Sequence, residues 1–157
     1  VSDVLGSAYW RKRTTGSIRA YHPTSGKLIT VDPQRDAVIR EDLTKEWHRY
    51  PATYHWYCAL RDTAKDRLRQ AEHVEQQMHA KAYFAAGKEG KPTETARKHY
   101  TRQDTQALEA TQARIEAERI LDGLESAVLT IYEKRWSLQQ LSKLQSQDKD
   151  YNEGINR

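Results

Sequence analysis

Two long stretches of helix-period sequence dominate the chain, one from about Leu43 to Ala86 and one from about Asp104 to Leu144. In the first, a seven-residue stripe passes through Tyr50, Tyr57, Ala64, Ala71, Met78 and Ala85, with Thr53, Leu60, Leu68 and Val74 as companions. In the second, a-like positions fall on Ala110, Ala117, Leu124, Ile131 and Leu138. The d-like positions are Ala113, Ile120, Ala127 and Leu141, interrupted by Lys134, and Leu121 and Val128 widen the stripe. Apolar residues at this spacing share one face of a helix. Between the stretches lies Gly87-Lys88-Glu89-Gly90-Lys91-Pro92-Thr93, where two glycines and a proline force a turn. The pattern predicts a mostly α fold: a long antiparallel helical hairpin, coiled-coil-like, with each helix on the order of 60 Å long. The hairpin spans 42–145 with its turn at 87–93. Small residues gather near the turn and large ones near the open end, so the hairpin is expected to be slim at the loop and bulky at the base. The last stretch, 146–157, is polar and is expected to fray.

Residues 1–41 follow another pattern. Ile18-Arg19-Ala20-Tyr21 and Leu28-Ile29-Thr30-Val31 read as two strands, and His22 to Lys27 carries turn chemistry, with Pro23 early and Gly26 late. A two-stranded hairpin is marginal alone, so it is expected to lean on the helices or on a second copy. Asp42 or Thr44 is a candidate N-cap. Pro51 costs a helix one backbone bond, which places the start of the main helix at Tyr50-Pro51, with a short helix or kink before it. Thr93 is a candidate cap for one or two further turns. Thr101, with Asp104 three residues on, resembles a capping box for the second long helix.

Only 37% of the 157 residues are apolar and 31% are charged, a thin core for a single chain. The expectation is a homo-oligomer that covers its stripes with copies of itself. The expected contact is the bulky base: Trp56, Tyr57, Leu124, Val128, Ile131, Trp136, Leu138 and Leu141. Five rings crowd the start of the first helix (Trp47, Tyr50, Tyr54, Trp56, Tyr57), and they are expected to pack against Tyr132 and Trp136 rather than to stack on bases. The single Cys58 excludes an intrachain disulfide and points to a reducing compartment. No apolar run approaches a membrane span and no secretory signal is evident, so a cytoplasmic location is expected, that of the host if the protein is viral.

Net charge is +4. Residues 1–40 carry the whole excess, through Arg11, Lys12, Arg13, Arg19, Lys27, Arg35 and Arg40 against Asp3, Asp32 and Asp36. Enzyme chemistry finds no support. There is no phosphate-loop signature, no paired cysteines and no HExxH motif. Asp62 and Asp66 are four apart but interleaved with Arg61, Lys65 and Arg69, so surface ion pairing is expected there rather than a metal. No cofactor is expected. The positive signal is Lys81, Lys88, Lys91, Arg97, Lys98 and Arg102 around the turn, with Tyr83, Phe84 and Tyr100 among them. Cations bracketing rings make a single-strand platform, with phosphates neutralised and bases stacked. Tyr9 and Trp10 beside Arg11, Lys12 and Arg13 offer the same composition in the N-terminal arm.

Tyr54-His55-Trp56-Tyr57, the charged run Arg61 to Arg69, the loop Gly87 to Glu94 and the closing Ile131-Tyr-Glu-Lys-Arg-Trp-Ser-Leu-Gln-Gln-Leu141 together resemble the phage UvsY-like recombination mediators. The resemblance covers roughly residues 45–145. It implies a ring-shaped homo-oligomer that binds single-stranded DNA and helps a RecA-like recombinase displace single-strand-binding protein. The family's basic stretch would fall on Lys81-Ala82-Tyr83-Phe84, where Tyr83 stands in place of a second basic residue. Two other readings stand beside it: a structural, assembly or adaptor protein built on an oligomeric hairpin, and a small inhibitor that uses a helix face.

Overall fold

The structure is a computed structural model. It describes residues 16–40, 42–90 and 93–155, with side chains as far as Asp148. In chain order the elements are β1 (Ile18–Tyr21), β2 (Leu28–Val31), α1 (Pro33–Ala37), α2 (Leu43–Lys88), α3 (Glu94–Gln103) and α4 (Thr105–Ile155). The chain divides into two compact units, Val1–Arg61 with Gly123–Arg157 and Asp62–Asp122. We call them the β-bearing unit and the turn unit. Within each, α2 and α4 pack against each other. Contacts pair Trp47 with Ser142 and Tyr54 with Tyr132 in the first, and Glu75 with Arg114 and Lys81 with Gln106 in the second. One partner's number falls as the other's rises, so the helices run antiparallel.

In the β-bearing unit, β1 and β2 pair antiparallel with Ile18 opposite Val31 and Tyr21 opposite Leu28. The connection closes as its composition predicts. Gly26 takes a left-handed φ of 64°, and the His22 Nδ1 accepts from the backbone N–H groups of Thr24 and Ser25. Alternate residues of a strand share a face, and here Ile18 and Ala20 face inward. Ala20 is fully buried, and Ile18 lies where Gly123 of α4 leaves room. The β-hairpin therefore leans on the helices of its own chain. Asp32 caps α1 by accepting from the Arg35 N–H at 3.0 Å, and Pro33 fills the first helical position.

The core of this unit is built of large side chains: Tyr50, Tyr57, Leu60, Leu124, Val128, Ile131 and Leu138 are buried. This corrects the expected assembly contact. Tyr57, Leu124, Val128, Ile131 and Leu138 are taken by the chain's own interior, because the β-hairpin and α1 complete a cover that the helical pattern alone does not reveal. Trp56 is half-buried against the His22 ring, with centroids 5.3 Å apart. Of the residues assigned to that contact, Trp136 and Leu141 are exposed. The ring cluster is likewise settled in part: Tyr54 stacks on Tyr50 and meets Tyr132, but Trp136 points to solvent.

The turn unit has a different interior. Its buried apolar residues are Ala64, Ala82, Ala86, Ala107, Ala110, Ala117 and Ile120. On α4 the seven-residue stripe holds along its length, from Ala110 to Leu138. On α2 it drifts, and the buried positions near the turn are Ala82 and Ala86 rather than Met78 and Ala85. A straight helix advances 3.6 residues per turn, so a strict heptad slides off the buried face by about 20° per repeat.

Three boundaries differ from expectation. Helix α2 starts at Leu43, not at Pro51, which sits inside it. Asp42 caps this start by accepting from the Lys45 N–H, and Glu46 and Trp47 tie the first turns to α4, which offsets the bond that Pro51 cannot make. The second long helix is capped by Asp104, whose Oδ1 accepts from the Ala107 N–H at 2.9 Å. Thr101 instead belongs to α3 and donates to the Arg97 carbonyl. Helix α4 also continues to Ile155, through the stretch expected to fray. No described helix is long and apolar enough to cross a membrane.

Candidate nucleic-acid interface

The basic side chains around the turn are brought together by α3. Gly90 reverses the chain after α2 with a φ of 77°. Thr93 then caps α3, accepting from the Ala96 N–H at 3.2 Å. The short helix folds back on the end of α2, and the Tyr100 hydroxyl donates to Glu89 Oε1, one residue past α2, at 3.0 Å. That bond raises the Tyr100 pKa, because it favours the neutral phenol. The Arg97 guanidinium lies 5.5 Å from the centre of the Tyr83 ring. It also passes within 3.5 Å of where a side chain on Gly87 would begin, an ordinary contact distance.

Beside this stack is an open cleft of about 360 Å³, lined by His79, Ala80, Tyr83, Lys98, Thr101 and Arg102. Its floor is largely apolar and its rim is cationic. Lys98 pairs with Glu94 at 2.6 Å, which raises the lysine pKa and lowers that of the glutamate. His79 meets Thr111 at 3.0 Å, which holds the wall of the cleft against α4. Phe84 stands edge-on to Tyr83, 70% exposed. An exposed phenylalanine beside a cation-rimmed cleft offers a second face for stacking.

Of the residues assigned from sequence, Tyr83, Arg97, Lys98 and Arg102 converge here. Lys88 is exposed at the end of α2. Lys81 faces away, donating to Gln106 Oε1 at 3.1 Å. Arg11, Lys12, Arg13 and Lys91 lie outside the described residues.

The β-bearing unit holds a second polar site that the sequence reading missed. Lys134, at a d-like position, is buried and forms an ion pair with Glu46, each side chain 5% exposed. Its ammonium also donates to the carbonyls of Asp36 at 3.1 Å and Val38 at 3.2 Å. The hydrogen bond from Lys134 holds the Glu46 carboxyl below its ordinary pKa, against the opposing effect of burial. Asp36 in turn accepts from the Tyr57 hydroxyl at 2.8 Å. Burial first, and that bond second, push the Tyr57 pKa up. Above this floor is a small polar cavity of about 40 Å³ lined by Arg35, Arg40, Arg49 and Thr53 as well. The signal available in sequence was the lysine itself, a charge set in an otherwise apolar stripe.

No protein-family model, no curated protein and no solved structure matches the chain.

Proposed function

We propose that this protein binds single-stranded DNA without covalent chemistry, through the cleft of the turn unit. The observation that carries the reading is the Tyr83 ring under the Arg97 guanidinium, flanking a cleft whose rim bears Lys98 and Arg102. A base stacks on a ring whatever its identity, and neighbouring phosphates meet the cations, so the binding is tolerant of sequence. The UvsY-like resemblance gives this reading its specific form, a recombination mediator that helps a RecA-like recombinase onto strands covered by single-strand-binding protein. Labelled oligothymidylate titrated with the protein at several salt concentrations tests it. Each phosphate contact contributes about −0.7 to the slope of log affinity against log salt for a single strand. The variant Lys88→Gln/Lys98→Gln/Arg102→Gln is expected to bind more weakly and with a shallower slope. An unchanged slope would remove the site assignment, and no binding at low salt would remove the function.

A second reading, an oligomeric assembly or adaptor protein, rests on a separate observation. Leu129, Tyr132 and Trp136 lie three and four residues apart on α4 and are 45%, 51% and 64% exposed. That spacing puts them on one face. Such a patch marks an interaction surface. Sedimentation velocity of the protein and of Leu129→Gln/Trp136→Gln tests it. Self-association that the variant lacks supports the assembly reading, and a monomer in both removes it.

A further inference from the structure

We infer that the 40 Å³ cavity of the β-bearing unit is a phosphate-recognising pocket, distinct from the cleft of the turn unit. Three arginines surround it from three places: Arg35 on α1, Arg40 in the segment that follows, and Arg49 on α2. The two carboxylates in its lining are already engaged. Asp36 accepts from Tyr57, and Glu46 accepts from Lys134 and from the Arg40 backbone N–H. Among the described residues, no carboxylate lies within ion-pair distance of the Arg35, Arg40 or Arg49 guanidinium. Four cations thus face two acids around one cavity, an excess of two positive charges, with Arg49 also acting through space on Glu46. Guanidinium groups present planar pairs of donors that fit the oxygens of a tetrahedral oxyanion such as a phosphoryl group.

Size narrows the ligand further. The cavity exceeds the roughly 10–15 Å³ that one water needs and suits a single phosphoryl group. It has no room for a base or a sugar, and Val38 is the one apolar residue in its lining. The group it recognises is therefore a phosphate, with the rest of the ligand outside. A phosphodiester of a bound strand and a free phosphoryl compound share that chemistry.

The test compares thermal unfolding of the whole protein in inorganic phosphate and in chloride at equal ionic strength. The expected result is a rise in Tm that saturates with phosphate, since a ligand that binds only the folded state stabilises it. Arg35→Gln/Arg40→Gln/Arg49→Gln is expected to lose the rise, and Lys98→Gln/Arg102→Gln to keep it. No phosphate-specific rise, or the same rise in the triple variant, would overturn the proposal. Should the triple variant unfold in chloride alone, Arg49→Lys replaces it. That change keeps the charge and removes the planar donor pair, and the expected outcome is a smaller rise, an undiminished one counting against the pocket. Oligothymidylate titration of the same variants identifies the source. A weaker affinity and shallower salt slope in the triple variant assign the pocket to a strand phosphodiester. An unchanged oligonucleotide affinity with a lost phosphate effect assigns it to a free phosphoryl ligand. The phosphate arm stands whether or not the turn unit binds DNA.

Discussion

Lys134 joins three parts of the β-bearing unit to α4 through one ammonium: α2 through Glu46, α1 through the Asp36 carbonyl, and the segment after α1 through the Val38 carbonyl. Removing one partner of a buried ion pair costs about 3–5 kcal/mol, because the other charge is left without compensation. Lys134→Met is expected to lie in that range by urea unfolding, and Glu46→Gln to cost less, since Lys134 keeps its two carbonyls. The pair also sets an acid limit. Glu46 has a folded pKa below its ordinary 4.5. Its contribution is therefore complete above about pH 4.5 and is lost as pH falls through the lower folded value. Stability of the protein measured between pH 6 and pH 3 is expected to fall more steeply than that of Glu46→Gln. Gly123 gives a second residue-scale expectation. A Cβ there would lie 3.2 Å from Cγ2 of Ile18, tighter than ordinary contact, although alanine is favoured over glycine in a helix by about 1 kcal/mol. Gly123→Ala is expected to stabilise more in an Ile18→Ala background than in the native one, a difference that a double-mutant cycle reads directly. Neither residue disclosed its partner in the sequence. The interruption at Lys134 was visible, but the carbonyls it serves lie 98 and 96 residues away, and nothing local marks them.

At the scale of elements, local signals and tertiary contacts divide the explanation. Both strands, the turn between them and the Thr93 cap follow from their own residues, so they were legible. The Asp42 cap at the start of α2 was legible too, but the unbroken run of α2 through Pro51 was not, because contacts of Glu46 and Trp47 with α4 outweigh the missing bond at Pro51. The α3–α4 junction turned on a single residue. Asp104 has an extended ψ of 124°, its N–H closes α3 on the carbonyls of Tyr100 and Thr101, and its side chain opens α4. Thr101 cannot play that part, since it is buried and its hydroxyl is turned back along α3. Losing an N-cap costs about 1 kcal/mol. Asp104→Ala is expected to lose about that much stability and Asp104→Asn to keep most of it, as chemical unfolding of the two variants side by side will tell.

At the scale of the whole molecule, the antiparallel pairing of α2 and α4 was legible because both stripes and the breaker between them are strong local patterns. The allocation of apolar surface was not. The heptad pattern says which face is buried but not whether the chain or a second copy buries it. Here the β-hairpin and α1 supply cover that the helical pattern omits. The apolar residues left exposed on α4 include the Leu129, Tyr132 and Trp136 face. The candidate DNA surface was legible as composition only. That Tyr83 lies under Arg97 depends on how α3 folds back, and that Lys81 turns to Gln106 depends on how α2 packs against α4. A Tyr83→Ala change is expected to weaken oligothymidylate binding by about 1–3 kcal/mol, the range for one stacked base, with the salt slope kept.

The alanine interior of the turn unit has one more consequence. A buried methyl-sized group contributes about 0.8 kcal/mol, against 1.5–3 kcal/mol for a buried leucine or isoleucine side chain. With Ala64, Ala82, Ala86, Ala107, Ala110 and Ala117 in its core, the turn unit draws less on burial than the unit built around Tyr57, Leu124, Ile131 and Leu138. Its backbone amides are therefore expected to exchange with heavy water sooner, by opening that leaves the other unit closed. A strand seated on Tyr83 would slow that exchange, so the part of the chain proposed to bind DNA is also the part whose local opening is best placed to report its arrival.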